Sequence, residues 1–180
     1  MKSEKRRMEV RPPSLQAEPK ETQAVEALRR EFIRKVTKPV TERDNVIVMA
    51  ARQLAQDRYA RGIHHLAACG WGRQQAAHYS ALQLNCKRAR ESSVCAEAGI
   101  LMAVSLKSDE LLTIVTFHGN HENHNGHSHE PYVVPPCAMC ATRFQRFAPN
   151  CEVIVEFEDK LVKIPQSALM LIPYPMTDMD

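Results

Sequence analysis

Two predicted helices of this chain begin with cysteines, and a single apolar strand separates them. Cys95 and Glu97 stand near the start of SSVCAEAGILMAV (residues 92–104), whereas Cys137 and Cys140 begin CAMCATRF. The positive end of a helix dipole lowers the pKa of a thiol and so favours metal-binding thiolates. Three thiolates at two helix starts match a catalytic zinc site, in which three protein ligands leave a fourth position open.

The order of the predicted elements places both cysteine helices in an α/β domain. The pattern predicts helices over 22–36, 41–62, 91–106 and 137–148, and strands over 62–72, 75–86, 110–119, 151–158 and 160–165. Strands that alternate with helices are typical of a three-layer α/β/α fold with a mixed sheet. We expect the first two strands to form an antiparallel hairpin through Gly70-Trp71-Gly72. We expect the strands on either side of the second cysteine helix to run parallel.

Apolar residues at helical spacing predict which faces of the first two helices are buried. They are Val25, Leu28, Phe32 and Val36 in the first helix, and Val46, Met49, Leu54 and Tyr59 in the second. Thr41 and Asp44 form a capping pattern at the start of the second helix. Ser92 or Ser93 is expected to cap the helix that carries Glu97.

Composition and charge restrict the class of protein. The 180 residues suffice for one core plus a tail, and a formal charge of +3 does not by itself indicate nucleic acid binding. No apolar run approaches membrane-spanning length, and no apolar signal region follows the basic start MKSEKRRMEV. Six cysteines in a chain without a leader indicate a reducing compartment. We therefore expect a cytoplasmic protein whose Cys-x-x-Cys pair binds metal or is redox-active.

Glu97 adds a catalytic interpretation to the three thiols. It lies on the first turn after Cys95, where its carboxylate can hydrogen-bond a metal-bound water without binding the metal. Zinc lowers the pKa of such a water towards about 7. A carboxylate beside it can take the proton and pass it to a ring nitrogen and then to a leaving amine. This chemistry is the hydrolytic deamination of an amino-pyrimidine-like ring, whose zinc enzymes share a His/Cys-x-Glu and Pro-Cys-x-x-Cys signature.

The segments CAE at 95–97 and PCAMC at 136–140 resemble those of the cytidine deaminase superfamily. The all-cysteine set is similar to that of its small members, the cytidine and blasticidin-S deaminases, and the resemblance runs from about residue 42 to 175. It implies a mixed five-stranded sheet flanked by helices and a homo-oligomer, usually a tetramer. It also implies one Zn²⁺ per chain bound by Cys95, Cys137 and Cys140, with zinc-bound hydroxide as nucleophile and Glu97 as proton shuttle.

The resemblance divides the chain and implies a set of substrate-binding residues. Residues 1–40, a flexible arm plus a basic helix, would extend a zinc-dependent deaminase domain at 41–180. The implied substrate-binding residues are Asn85, Lys87, Ala96, Pro136, Ile63, His64 and Tyr174. Where the family has an acid that holds the ribose, this chain has a basic cluster formed by Lys87, Arg88 and Arg90. The cluster suits a substrate with an acidic or phosphorylated group, and a solvated edge is the alternative interpretation.

The leading hypothesis is a zinc-dependent deaminase acting on a cytosine-like ring in a free nucleoside, a nucleotide or a related small molecule. One alternative is a cytosine deaminase acting on nucleic acid through the basic N-terminal helix and the Lys87 to Arg90 cluster. The other is a catalytically silent, zinc-stabilised module for assembly or regulation, against which Glu97 argues. The histidine-rich stretch from His118 to His129 is either a metal-binding loop or a polar insertion. No membrane partner is expected.

Overall fold

Strand-forming and helix-forming segments alternate along the chain, as its apolar pattern predicts. The structure, a computed structural model, describes residues 20–60, 63–74, 78–86, 93–119 and 130–171. Its elements are α1 (Lys20–Val36), β1 (Lys38–Pro39), α2 (Glu42–Arg58), β2 (Leu66–Gly72), β3 (Tyr79–Leu82), α3 (Ala96–Leu106), β4 (Leu111–His118), β5 (Tyr132–Val133), α4 (Ala138–Phe147), β6 (Glu152–Phe157), β7 (Lys160–Pro165) and a 3-10 helix (Gln166–Leu171). None of the described helices has the length and apolar character needed to cross a membrane.

One mixed sheet organises the fold. Its strand order is β1-β7-β6-β4-β2-β3, and β5 pairs with β4. The β2–β3 and β6–β7 pairs are antiparallel, and β4 and β6 on either side of α4 are parallel, as expected. The α/β class is confirmed, but the described sheet has seven strands instead of five.

The two additional strands are short pairings that the sequence pattern does not reveal. β1 and β5 contain two residues each. β1 pairs with β7, whereas β5 pairs with Phe117 and His118 at the end of β4, beyond the residues that β6 covers. A two-residue strand is too short to show an alternation of apolar and polar residues.

Helices cover both faces of the sheet. On the α2 face, Ile47 of α2 packs with Val115 and Phe117 of β4. On the opposite face, which we call the α3–α4 face, Ile100 of α3 and Phe144 of α4 share a core with β4. Successive strand residues point to opposite faces, and β4 therefore serves both cores.

Helix α2 buries a different face from the one predicted. Its buried apolar residues are Ile47, Ala51 and Ala55, whereas Val46 and Met49 are 49% and 71% exposed. The sheet beneath α2 carries large side chains, including the buried Trp71 and Phe117. Small alanines opposite these large residues let the helix approach the sheet, so the larger apolar residues of α2 lie at its flanks.

Helix α1 differs from the prediction in the same way. Ile33 is its buried residue, at 3% exposure, and Val36 packs partly against the α3–α4 core. The predicted residues Val25, Leu28 and Phe32 are largely exposed. Among the described elements, α1 packs mainly against β7 and the 3-10 helix, so a narrow stripe of apolar residues suffices for this packing.

Trp71 lies inside strand β2 and not at a hairpin tip. Gly70, Trp71 and Gly72 are all buried members of β2, and the connection to β3 follows Gly72. A Cβ atom at Gly70 would lie 2.9 Å from the Thr113 carbonyl oxygen, so this glycine allows two strands to approach closely. The Trp71 indole N–H donates to the Arg43 carbonyl at 3.0 Å, which explains its place in the core.

The start of α2 supports a stability prediction. Thr41 Oγ1 accepts from the Asp44 amide, and the Asp44 carboxylate accepts from the Thr41 amide at 2.9 Å, a reciprocal capping box. We expect Thr41→Ala to lower the free energy of unfolding by about 1 kcal/mol, the usual effect of losing such a cap. Chemical denaturation measures this change. Thr142→Ala, at an exposed position within α4, is the matched control; an equal loss in both variants would contradict a specific capping effect.

Part of the segment assigned to an N-terminal extension is attached to the sheet. Lys38 and Pro39 form β1 against β7, and the Arg34 guanidinium forms an ion pair with Glu158 in the β6–β7 turn. The expected arm at residues 1–19 lies outside the described residues. The division into 1–40 and 41–180 stays a prediction.

Candidate metal centre and catalytic site

The starts of α3 and α4 place three thiols together. Cys95 and Cys137 are the N-cap residues of these helices, and neither side chain is used to cap its own helix. Cys140 follows in the first turn of α4 and is fully buried. The three sulfur atoms all lie within 4.8 Å of one another. The structure therefore brings together the three cysteines predicted as ligands, and Cys95, not Ser92 or Ser93, occupies the N-cap of α3.

The dimensions and chemistry of the cluster fit a zinc ion. Zn–S bonds of about 2.3 Å in a tetrahedral arrangement place sulfur atoms roughly 3.8 Å apart. Sulfurs that already lie within 4.8 Å need only a small inward movement to reach this spacing. Within the described part of the chain, no fourth histidine, cysteine or carboxylate completes the group. Three protein ligands with an open fourth position are typical of catalytic rather than structural zinc sites.

The three thiols are electrostatically coupled. Hydrogen bonds from Cys140 and Cys95 hold the pKa of the Cys137 thiol well below its usual range. The hydrogen bonds to Cys137 also raise the pKa of Cys95 to about 11, and they raise the pKa of Cys140 further. Cys137 is thus the preferred thiolate, and the other two thiols keep their protons as donors to it. A divalent cation bound here would replace those protons.

Glu97 lies against this cluster, in the first turn of α3. It is 2% exposed, and the Cys140 thiol donates to its Oε2 at 3.8 Å. Burial raises the pKa of Glu97 to about 7, and the charge of Cys137 adds to the rise. A buried carboxyl beside three thiols has the position of a proton-transfer group and not that of a surface charge.

Two predicted substrate residues adjoin the centre. Ala96 lies between Cys95 and Glu97 and is fully buried, and Pro136 directly precedes Cys137 and is also buried. Their backbone groups are therefore held next to the thiols by the two helix starts.

Three further predicted substrate residues lie together around the end of β3. The Asn85 amide donates to the Ile63 carbonyl at 2.8 Å, and the Asn85 side-chain oxygen accepts from Ser93 Oγ at 3.1 Å. His64 Nδ1 lies 2.6 Å from the Gln83 carbonyl, so this nitrogen carries the proton. The Ile63 side chain is 45% exposed. Ser93 links this group to the three-thiol cluster, because it stands two residues before Cys95.

The remaining predicted residues, Lys87 and Tyr174, lie outside the described residues, as do Arg88, Arg90 and the histidines from 121 to 129. His118, at the end of β4, stacks on Tyr132 with ring centroids 5.2 Å apart.

Thr116, which interacts with Glu97, was not predicted as a site residue from the sequence. Thr116, on β4, is 2% exposed, and no described group forms a hydrogen bond with its Oγ1 atom. Threonine is common in strands, so a threonine within LLTIVTFH predicts only β structure.

Comparisons with known proteins agree with this fold. No family model matches the chain. Over 83 residues it is 36% identical to blasticidin-S deaminase of Bacillus cereus, an alignment that covers 46% of this chain and 58% of that protein. The cytidine deaminase of Bacillus anthracis superposes with a TM-score of 0.55 at 16% identity, over 69% of this chain and 84% of that one. The chain has the fold of the cytidine deaminase superfamily.

Other solved structures support this assignment. The cytidine deaminase of Burkholderia pseudomallei superposes with a TM-score of 0.52 at 15% identity, over 69% of this chain and 94% of that one. The cytidine deaminase of Mycobacterium tuberculosis gives 0.51 at 15% identity, over 69% and 91%. The resemblance expected from CAE and PCAMC is confirmed, and in this cytidine deaminase fold those segments form the starts of α3 and α4. The chain spans less than two thirds of the curated relative it matches.

Proposed function

We propose that the protein is a zinc-dependent hydrolytic deaminase that removes the amino group from a cytosine-like ring. The observation that carries the proposal is the buried Glu97 carboxyl against three convergent thiols. The cytidine deaminase fold and the similarity to a blasticidin-S deaminase support it. The substrate class we propose is a free nucleoside, a nucleotide or a related compound.

In this proposal Cys95, Cys137 and Cys140 hold one Zn²⁺. When bound, zinc supplies a Lewis acid that makes water nucleophilic at neutral pH. The thiols hold their positions because two helix N-termini and the buried side chain of Cys140 fix them.

Glu97 moves the protons in this scheme. Its Oε2 faces the cluster, where the carboxylate can accept a proton from the attacking water. The protonated carboxyl can then donate this proton to the ring nitrogen. The carboxylate can next take the proton of the hydroxyl that has been added to the ring and pass it to the amino group, which leaves as ammonia. Burial of Glu97 excludes bulk water, so the proton stays on the carboxyl between the two transfers.

The backbone around the two cysteines would orient the substrate. Ala96 and Pro136 are buried beside the thiols, and the Pro136 carbonyl is proposed to accept from the ring amine. Ile63, His64 and Asn85 are proposed to contact the rest of the substrate, together with Lys87 and Tyr174. We also propose a cytoplasmic homo-oligomer whose catalytic domain is formed by residues 41–180.

The basic face of α1 gives no support to a nucleic acid substrate. Arg29 and Arg30 form ion pairs with Glu26, and Lys35 forms one with Glu31. Arg34 pairs with Glu158. Cations that are already paired within the protein have less charge to offer to phosphates.

The test is ammonia release by purified protein whose zinc content has been measured. The panel contains cytidine, deoxycytidine, their monophosphates, blasticidin S and a cytosine-containing oligonucleotide. We expect release from at least one small compound, with loss on zinc chelation and recovery on zinc addition. Release from the oligonucleotide alone would overturn the proposed substrate class, and no release from any compound by zinc-loaded protein would overturn the proposed function.

A further inference from the structure

Thr116 has an unusual environment for a hydroxyl group. It lies in the interior of β4 and is 2% exposed, and no described group forms a hydrogen bond with its Oγ1 atom. Most buried polar side-chain atoms in proteins have a hydrogen-bond partner. Valine has nearly the same shape and would fill this position without a buried polar atom. The hydroxyl at Thr116 is therefore not explained by packing.

Strand geometry places this hydroxyl on the face that carries the metal centre. Ile114 belongs to the α3–α4 core, together with Ala96 and Cys140. Thr116 is two residues further along β4 and so points to the same face. Its partner across the β2–β4 pair is Ala68, which also belongs to that core.

Thr116 is also connected to both helix starts. Its backbone carbonyl accepts from the Val134 amide at 3.0 Å, and the chain then runs through two prolines into Cys137. Towards α3, Ala96 and Ile100 belong to the core that Thr116 faces, and Glu97 stands beside Ala96 in the first turn of that helix. The Thr116 hydroxyl interacts with the Glu97 carboxyl there. Thr116 therefore lies between the start of α3, which carries Glu97, and the segment that leads into Cys137.

We propose that Thr116 is a positioning residue whose hydroxyl donates a hydrogen bond to the Glu97 carboxylate and fixes its orientation towards the reacting ring. The proposal rests on the proposed function. Catalytic hydrogen bonds are often long in the free protein and shorten in the reacting complex. A donor that is buried and otherwise unpartnered can turn to the carboxylate without breaking another bond.

The test compares Thr116→Val, which removes the hydroxyl, with Thr116→Ser, which keeps it. Thr113→Val is the matched control, since Thr113 is a buried threonine on the same strand. It lies two residues before Val115, which packs with α2, and therefore points to the α2 face. We expect Thr116→Val to lower kcat about tenfold or more, as loss of a supporting hydrogen bond commonly does. KM, zinc content and the thermal midpoint should stay near the wild-type values. Thr116→Ser and Thr113→Val should retain kcat.

A readout that does not need turnover separates this proposal from the proposed function. The carboxylate stretching band of Glu97 is obtained as the infrared difference between wild type and Glu97→Gln, at alkaline pH in the zinc-loaded protein. We expect Thr116→Val to shift this band and Thr116→Ser to leave it in place. Thr116→Ala replaces the valine variant if that variant does not fold.

An unchanged band and an unchanged kcat in Thr116→Val would overturn the positioning role, and so would a serine variant that behaves like valine. If the wild type deaminates nothing on the panel, the proposed function fails. The infrared band then decides the position of the hydroxyl alone: a shift specific to valine supports the hydrogen bond, and no shift rejects it.

Discussion

Replacing Glu97 by glutamine is expected to reduce ammonia release by a factor of about 10² to 10⁴, the usual contribution of a positioned general acid–base group. Glutamine has nearly the same shape as glutamate, so the core around this buried position should stay packed. Its amide cannot take a proton from water and return it to the ring. Zinc content should stay at about one ion per chain, since the three thiols are untouched.

The measurement is kcat on the best substrate of the panel, with zinc determined on the same preparation. Glu156→Gln provides the matched control, because Glu156 is exposed on β6. A glutamine variant at 97 that keeps more than about a tenth of wild-type kcat would exclude Glu97 as the proton-transfer group. A variant that has lost its zinc would instead assign Glu97 a role in holding the metal.

Replacing Cys140 by alanine is expected to remove both bound zinc and activity. Cys140 is the fully buried member of the three-thiol cluster and holds the Cys137 side of the site in contact with Glu97. Two thiols cannot satisfy the four-coordinate preference of zinc, so occupancy should fall from about one ion per chain to roughly a tenth or less. Metal analysis after dialysis and ammonia release measure the two effects.

Cys151→Ala separates the loss of a ligand from the loss of a buried thiol. Cys151 is 1% exposed and belongs to the same core, but it is not in the cluster. The Cys151→Ala variant should lose some stability, because the substitution leaves a small cavity, and it should keep its zinc. Equal zinc loss in both variants would contradict the assigned ligand set.

The grouping of the three thiols could be predicted from the sequence because most of it depends on residues that are close together in the chain. Cys95 and Glu97 stand within three residues, and the Cys137–Cys140 spacing brings two thiols to one helix start. Helix geometry places Cys95 close to Glu97 and Cys137 close to Cys140. The alternation of helices and strands then brings the two helix starts together. The same locality explains the success of the Thr41–Asp44 capping pattern.

Tertiary contacts explain the predictions that failed. Helical spacing could not distinguish the buried Ile47–Ala51–Ala55 face of α2 from the neighbouring apolar residues, since the choice depends on the large side chains beneath it. Trp71 between two glycines resembles a turn, but Gly70 is needed for a close approach to β4. The role proposed for Thr116 of β4 depends on the Glu97 carboxyl, which lies on α3. None of these partners is near in sequence.

The pairing of β1 with β7 has a consequence for how the protein can be shortened. An uncovered strand at the end of a sheet presents free N–H and C=O groups and can pair with another molecule. Lys38 and Pro39 cover Val162 and Lys163 on that side, and Pro39 itself has no N–H to offer. A chain begun at residue 41 would keep all three thiols and lose this protection. Removal of residues 38 and 39 would therefore leave Val162 and Lys163 of β7 free to pair with a strand of another molecule.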